Sequence, residues 1–109
     1  KRGRLITVRP HSRFVDFLSQ QLDYAGPVQL HIDSEPAATV LRIWVDDTLQ
    51  APTTEAAEQL CAWYDELRVI RTYQLPLIVR LEIHPHSDFV RVKASGKLRH
   101  VCDHRLDAT

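Results

Sequence analysis

The residues with the most chemical potential here are histidines and a cysteine near the C-terminal end. They are His84-Pro85-His86, followed by His100-Val101-Cys102-Asp103-His104. In an extended segment alternate side chains point the same way, so His100, Cys102 and His104 would share a face. With His84 or His86 they offer enough imidazole and thiolate groups for a tetrahedral zinc ion. The spacing follows none of the usual zinc patterns, which place ligand pairs two to four residues apart on knuckles or on one helical face. Exposed histidines of a turn and a tail are the plainer expectation.

Other chemistry is thinner. Cys102 beside His100 and His104 has the residue types of an activated thiol, but its segment promises little of the rigid support a preorganised nucleophile needs. Asp46-Asp47 could bind a divalent ion or act in acid–base work, although adjacent acids before a helix more often form a solvated turn. The three glycines, Gly3, Gly26 and Gly96, lie too far apart for a phosphate-cradling loop. The sequence leans away from catalysis, and no cofactor is expected.

The elements that must position these groups fit within one domain, since 109 residues leave room for no more. Apolar residues make up 44% and charged ones 26%, which places the chain among globular proteins and away from disorder. Charges interrupt every apolar run, so no membrane span is expected. Lys1-Arg2-Gly3-Arg4 leads into no long apolar segment, and hence into no secretory leader. Two cysteines, Cys61 and Cys102, make no disulfide scaffold and read as reduced thiols of a cytoplasmic protein. Methionine is missing even at position 1, as in a processed chain or a piece of a longer one.

Arg4 to Arg9 reads as a strand stopped by Pro10. Ser12 then suits the N-cap of a helix with Phe14, Phe17, Leu18 and Leu22 on one stripe, closed by Gly26-Pro27. Val28, Leu30 and Ile32 alternate with polar residues, as do Leu41, Ile43 and Val45, with a turn at Asp33-Ser34-Glu35-Pro36 between them. One long helix is predicted from about Thr53 to Arg71, with Ala56, Leu60, Trp63, Leu67 and Ile70 inward. A fourth strand follows, with Leu77, Val79, Leu81 and Ile83 inward. Residues 89–93 read as a further strand. Residues 1–94 are expected as the α+β domain and residues 95–109 as a polar tail that frays.

This βαββαβ order predicts a ferredoxin-like sandwich, with both helices on one face of an antiparallel sheet in strand order 4-1-3-2 and one extra C-terminal strand. Formal charge is +4 over residues 1–22, −8 over 23–66 and +4 over 67–109, although the whole chain sums to zero. That strand order would bring the two basic ends together and make the domain dipolar.

The sheet face away from the helices would carry Arg42, Trp44, His31, Arg80, Glu82 and His84, with either Phe89, Arg91 and Lys93 or Val90 and Val92 from the extra strand. Aromatic and Arg side chains on an open face suit a protein interface. The leading expectation is therefore a non-catalytic interaction or regulatory module. It would self-associate as a homodimer or dock a protein partner through Arg42, Trp44, Arg80 and Arg91, or through a strand edge. The alternative is single-stranded nucleic acid on the same face, with Trp44 stacking a base and Lys93, Lys97 and Arg99 adding phosphate contacts. Against it, the strand Val40–Val45 holds one aromatic residue where RNA-recognition domains have several. A metal-binding role for the C-terminal His and Cys residues is the third possibility.

Overall fold

The computed structural model of the protein describes residues 11–107. The strand expected at Arg4 to Arg9 lies outside them. Helix α1 spans His11–Leu22 and buries Phe14, Phe17 and Leu18, the stripe its spacing predicts. It stops at Leu22, before Gly26-Pro27, because Asp23 takes a left-handed backbone (φ 55°) and the Tyr24 N–H turns back onto the Leu18 carbonyl at 2.9 Å.

Strands β1 (Gln29–Ser34) and β2 (Thr39–Val45) pair antiparallel, with Leu30 opposite Ile43 and Gln29 opposite Trp44. Leu30, Ile32, Leu41, Ile43 and Val45 enter the core. Gln29, His31, Arg42 and Trp44 therefore face the other way.

The long helix is two helices, α2 (Thr53–Trp63) and α3 (Asp65–Thr72). Tyr64 interrupts them in an extended conformation (φ −87°, ψ 115°), which turns its ring into the core against Phe14, with centroids 5.0 Å apart. Asp65 and Glu66 are acids in the first turn of a new helix, where the helix dipole favours them.

Strand β3 (Leu77–Ile83) lies parallel and directly beside β2, from Thr39↔Leu77 to Val45↔Ile83. Strand β4 (Val101–Asp103) lies parallel to β1, and the sheet order is β3-β2-β1-β4. Over the described residues the protein is thus a mixed α+β fold with one four-stranded, partly parallel sheet and three α-helices on one face of it. The expected ferredoxin-like order is not realised. That order needs a strand between the two that flank the second helix, whereas here β2 and β3 hydrogen-bond to each other. The charge separation drawn from it goes too: β3 and β4 of the basic C-terminal segment lie at opposite edges of the sheet, with β2 and β1 of the acidic middle segment between them.

Residues 89–93 are not a strand. The backbone from Val90 to Arg99 makes a short excursion closed by Val92 N–H to Lys97 O (2.8 Å) and Arg99 N–H to Val90 O (3.0 Å), with Gly96 at φ 72°. The C-terminal strand lies later, at 101–103. It is short and set among polar residues, so it shows little alternation. Among the described residues no helix is long and apolar enough to cross a membrane.

Candidate functional site

The sheet face opposite the helices is not open at its centre. Trp44 lies between two imidazoles, His31 on one side and His84 on the other, each 3.8 Å from it between centroids and 23° from parallel. His104 continues the column beyond His31 at 5.2 Å, and Phe89 meets Trp44 edge-on at 5.9 Å. Phe89 is buried, so the segment after β3 lies on this face as a third layer.

Gln29 fastens that layer. Its side chain is fully buried, and its Nε2 donates to the carbonyls of Val90 (2.8 Å) and Arg99 (2.9 Å). Its Oε1 accepts the Val90 N–H (3.0 Å) and lies 2.8 Å from His31 Nε2. With both amide hydrogens committed, Oε1 can only accept, so His31 carries its proton on Nε2. The Nδ1 of neutral His31 is then an acceptor, 2.9 Å from His104 Nε2, which must donate. Burial pushes the His31 pKa down to about 4; the charges of His104 and His84 act in the same direction, opposed by Asp33 and Glu82. His31 is a neutral structural imidazole at ordinary pH.

Arg42 spends its guanidinium on three carboxylates: Nε on Asp33 (3.0 Å), Nη1 on Glu82 (2.6 Å) and Nη2 on Glu35 (3.3 Å). Burial works against the Glu82 charge, but hydrogen bonds from His84 and Arg42 more than offset it and hold its pKa below the usual range. Arg42 and Trp44, expected at a partner surface, are half-buried on this layered face, Arg42 among carboxylates and Trp44 between rings. Both faces of the Trp44 indole are taken, so no base can stack on it in this arrangement. Its Nε1–H is buried and meets no acceptor among the described residues.

Arg80 and Arg91 are exposed, and Arg91 donates to the Gly96 carbonyl within its own excursion (3.0 Å). Lys93, Lys97 and Arg99 are exposed on that same excursion. The proposed metal ligands are dispersed. His84 stacks on Trp44, His86 bonds Asp46 at 2.8 Å, His100 stacks on His11 at 4.2 Å, and His104 bonds His31. Among the described residues no group of three or more His, Cys, Asp or Glu is arranged to hold a metal ion.

Cys102 is buried, and burial pushes its thiol pKa up, opposite to what a nucleophile requires. Asp46 is a turn-former. Burial opposes its charge, yet the Thr48 hydroxyl and N–H and the His86 ring outweigh burial and lower its pKa.

Residue typing alone misses the outer edge of β3. The His84 N–H donates to Val45 O, and Pro76 O accepts from Thr39 N–H, so even-numbered residues of β3 bond to β2. By alternation, the N–H and C=O groups of Val79, Leu81 and Ile83 point to the outer edge, and no described strand pairs with it. Beside that edge an open groove of about 690 Å³ runs between β3 and helices α2 and α3. Its apolar lining includes Ala57, Leu67, Ile70, Leu77, Val79 and Leu81, and the Arg71–Glu58 ion pair (2.9 Å) sits beside it. The sequence signal was present in Leu77–Ile83, an apolar strand with no charge on its helix-facing side, but only the topology shows that it is an edge.

Compared with known proteins, the chain matches no family model, no curated protein and no solved structure.

Proposed function

We propose that this protein is a non-catalytic interaction module that binds an extended polypeptide segment along the outer edge of β3. The observation that carries this is the coincidence of a seven-residue edge, unpaired among the described residues, with a groove of mixed polar and apolar lining beside it. Strand addition gives affinity through main-chain hydrogen bonds, while alternate side chains of the added strand enter the groove and give specificity. Natural proteins normally protect long edges with inward charges, bulges or prolines. β3 has none of these on its groove side, and Ile83 stays 48% exposed. Arg80 keeps a role at this surface, whereas Arg42 and Trp44 support the sheet from behind.

A displayed library of ten-residue peptides tests the reading. Binders should be enriched, and they should lose binding to Ile83→Pro, which removes an edge donor, and to Thr54→Trp, which fills the groove from an exposed position. A library without binders, or binders indifferent to both substitutions, would overturn it.

A second reading has one observation in its favour. Arg91, Lys93, Lys97 and Arg99 are all exposed on one short excursion with no acidic residue between them. Such a cluster suits the phosphates of single-stranded nucleic acid. Anisotropy of labelled RNA and DNA at low and physiological salt decides it, since phosphate binding must weaken steeply as salt rises.

A further inference from the structure

Building on the strand-addition reading, we infer that the segment received by β3 is the β3 strand of a second copy of this chain, paired antiparallel about a two-fold axis at Leu81. The charge pattern of the strand selects both occupant and register. Arg80 and Glu82 lie on the same sheet face, on either side of Leu81. An axis at Leu81 places Arg80 of each copy opposite Glu82 of the other. An axis at Arg80 or at Glu82 would instead set like charges directly opposite each other, which destabilises cross-strand pairs. The strand is therefore self-complementary in one register.

Backbone and apolar groups agree with that register. The edge-facing residues pair Leu81 with Leu81 and Val79 with Ile83, so each free N–H meets a free carbonyl as antiparallel ladders require. Val79, Leu81 and Ile83 share the groove side, so the exposed Ile83 of each copy comes to lie beside Val79 of the other. Ile78, 37% exposed on the opposite face, pairs with His84. Arg80 makes no ion pair among the described residues, so its guanidinium is free to meet a second Glu82. The product is an isologous dimer with one continuous eight-stranded sheet, in which each edge protects the other.

The experiment is sedimentation equilibrium of the full chain over a wide concentration range, for the wild type, Arg80→Glu and Ile83→Pro. Both substitutions fall at exposed positions, and circular dichroism melts verify folding. The wild type should reach twice the 12.6 kDa chain mass. Arg80→Glu should weaken the dimer by about tenfold or more, because it creates two like-charge pairs. Ile83→Pro should abolish it. A wild type that stays monomeric, or a dimer indifferent to both changes, overturns the inference and leaves the peptide library to judge the strand-addition reading. A dimer lost in Ile83→Pro but unchanged in Arg80→Glu overturns the register while upholding the edge.

Discussion

Gln29 and Val90, sixty-one residues apart, exchange two hydrogen bonds: the Gln29 amide donates to the Val90 carbonyl at 2.8 Å, and the Val90 N–H donates back to Gln29 Oε1 at 3.0 Å. A side-chain amide here imitates a strand backbone and stitches the third layer to the sheet. Gln29→Leu keeps the bulk but orphans the Val90 N–H, the Arg99 carbonyl and His31 Nε2, while the Val90 carbonyl keeps the Arg99 N–H. A buried group left unpaired costs about 1–3 kcal/mol, so the variant should lose about 3 kcal/mol or more in urea unfolding. Hydrogen exchange should show the amides of Val90–Arg99 losing protection before those of β2. Equal loss throughout would mean that the layer has no independent opening.

The column His84–Trp44–His31 makes Trp44 a packing residue. Trp44→Ala should cost about 3–5 kcal/mol, the usual range for removing a packed aromatic side chain. Trp44→Phe keeps a ring between the imidazoles and removes the buried N–H that meets no acceptor among the described residues, so it should cost less than about 1.5 kcal/mol. Thermal unfolding of the two variants checks this. An Ala variant as stable as the wild type would return Trp44 to the exposed face that strand alternation suggests.

Neutral, buried His31 makes the fold sensitive to acid. Its native pKa, about 4, lies below the unfolded value of 6.5. Above pH 6.5 both states are neutral and its contribution is complete. Between 6.5 and about 4 the unfolded chain takes up a proton that the native state refuses, so stability falls as the pH falls, by about 3 kcal/mol in all at this position. Below about 4 this slope ends. The wild type should therefore lose stability relative to His31→Gln across that window. Parallel stability profiles would show that His31 protonates freely in the native state.

Much of the helix-facing half of this protein was legible from its sequence, and little of the other half. Alternation in Val28–Ile32, Leu41–Val45 and Leu77–Ile83 reports which side chains face a core, and the stripe Phe14-Phe17-Leu18 reports a helix, because burial on one face leaves a period. Alternation says nothing about which strand lies next to which, so β3 could be read as an outer strand of another order. Gln29, His31 and Trp44 looked solvent-facing because polar and amphipathic residues occupied the open positions of their strands. Their partners, Val90, Arg99 and His104, lie far along the chain in a stretch without period. The break at Tyr64 had one local sign, the acids Asp65 and Glu66 in mid-helix, which the continuous apolar stripe masked.

Gly26 shows how closely the far end of the fold is packed. A β-carbon there would sit 2.7 Å from Tyr24 Oη and 3.0 Å from Asp46 Oδ1. Tyr24 cannot easily yield, because its hydroxyl donates to the Pro27 carbonyl and accepts the Asp46 N–H at 2.9 Å. Gly26→Ala should therefore cost about 1–3 kcal/mol, the usual range for overpacking. Tyr24→Phe should cost about 1–3 kcal/mol by leaving the buried Asp46 N–H without its acceptor. The double variant should cost clearly less than the two together, because the added methyl already displaces the hydroxyl whose bonds Tyr24→Phe removes. Chemical denaturation of the four proteins measures that coupling. Strict additivity would mean that the new methyl leaves the hydroxyl's bonds intact and is opposed by the Tyr24 ring carbon Cζ, 2.8 Å away, which Phe retains.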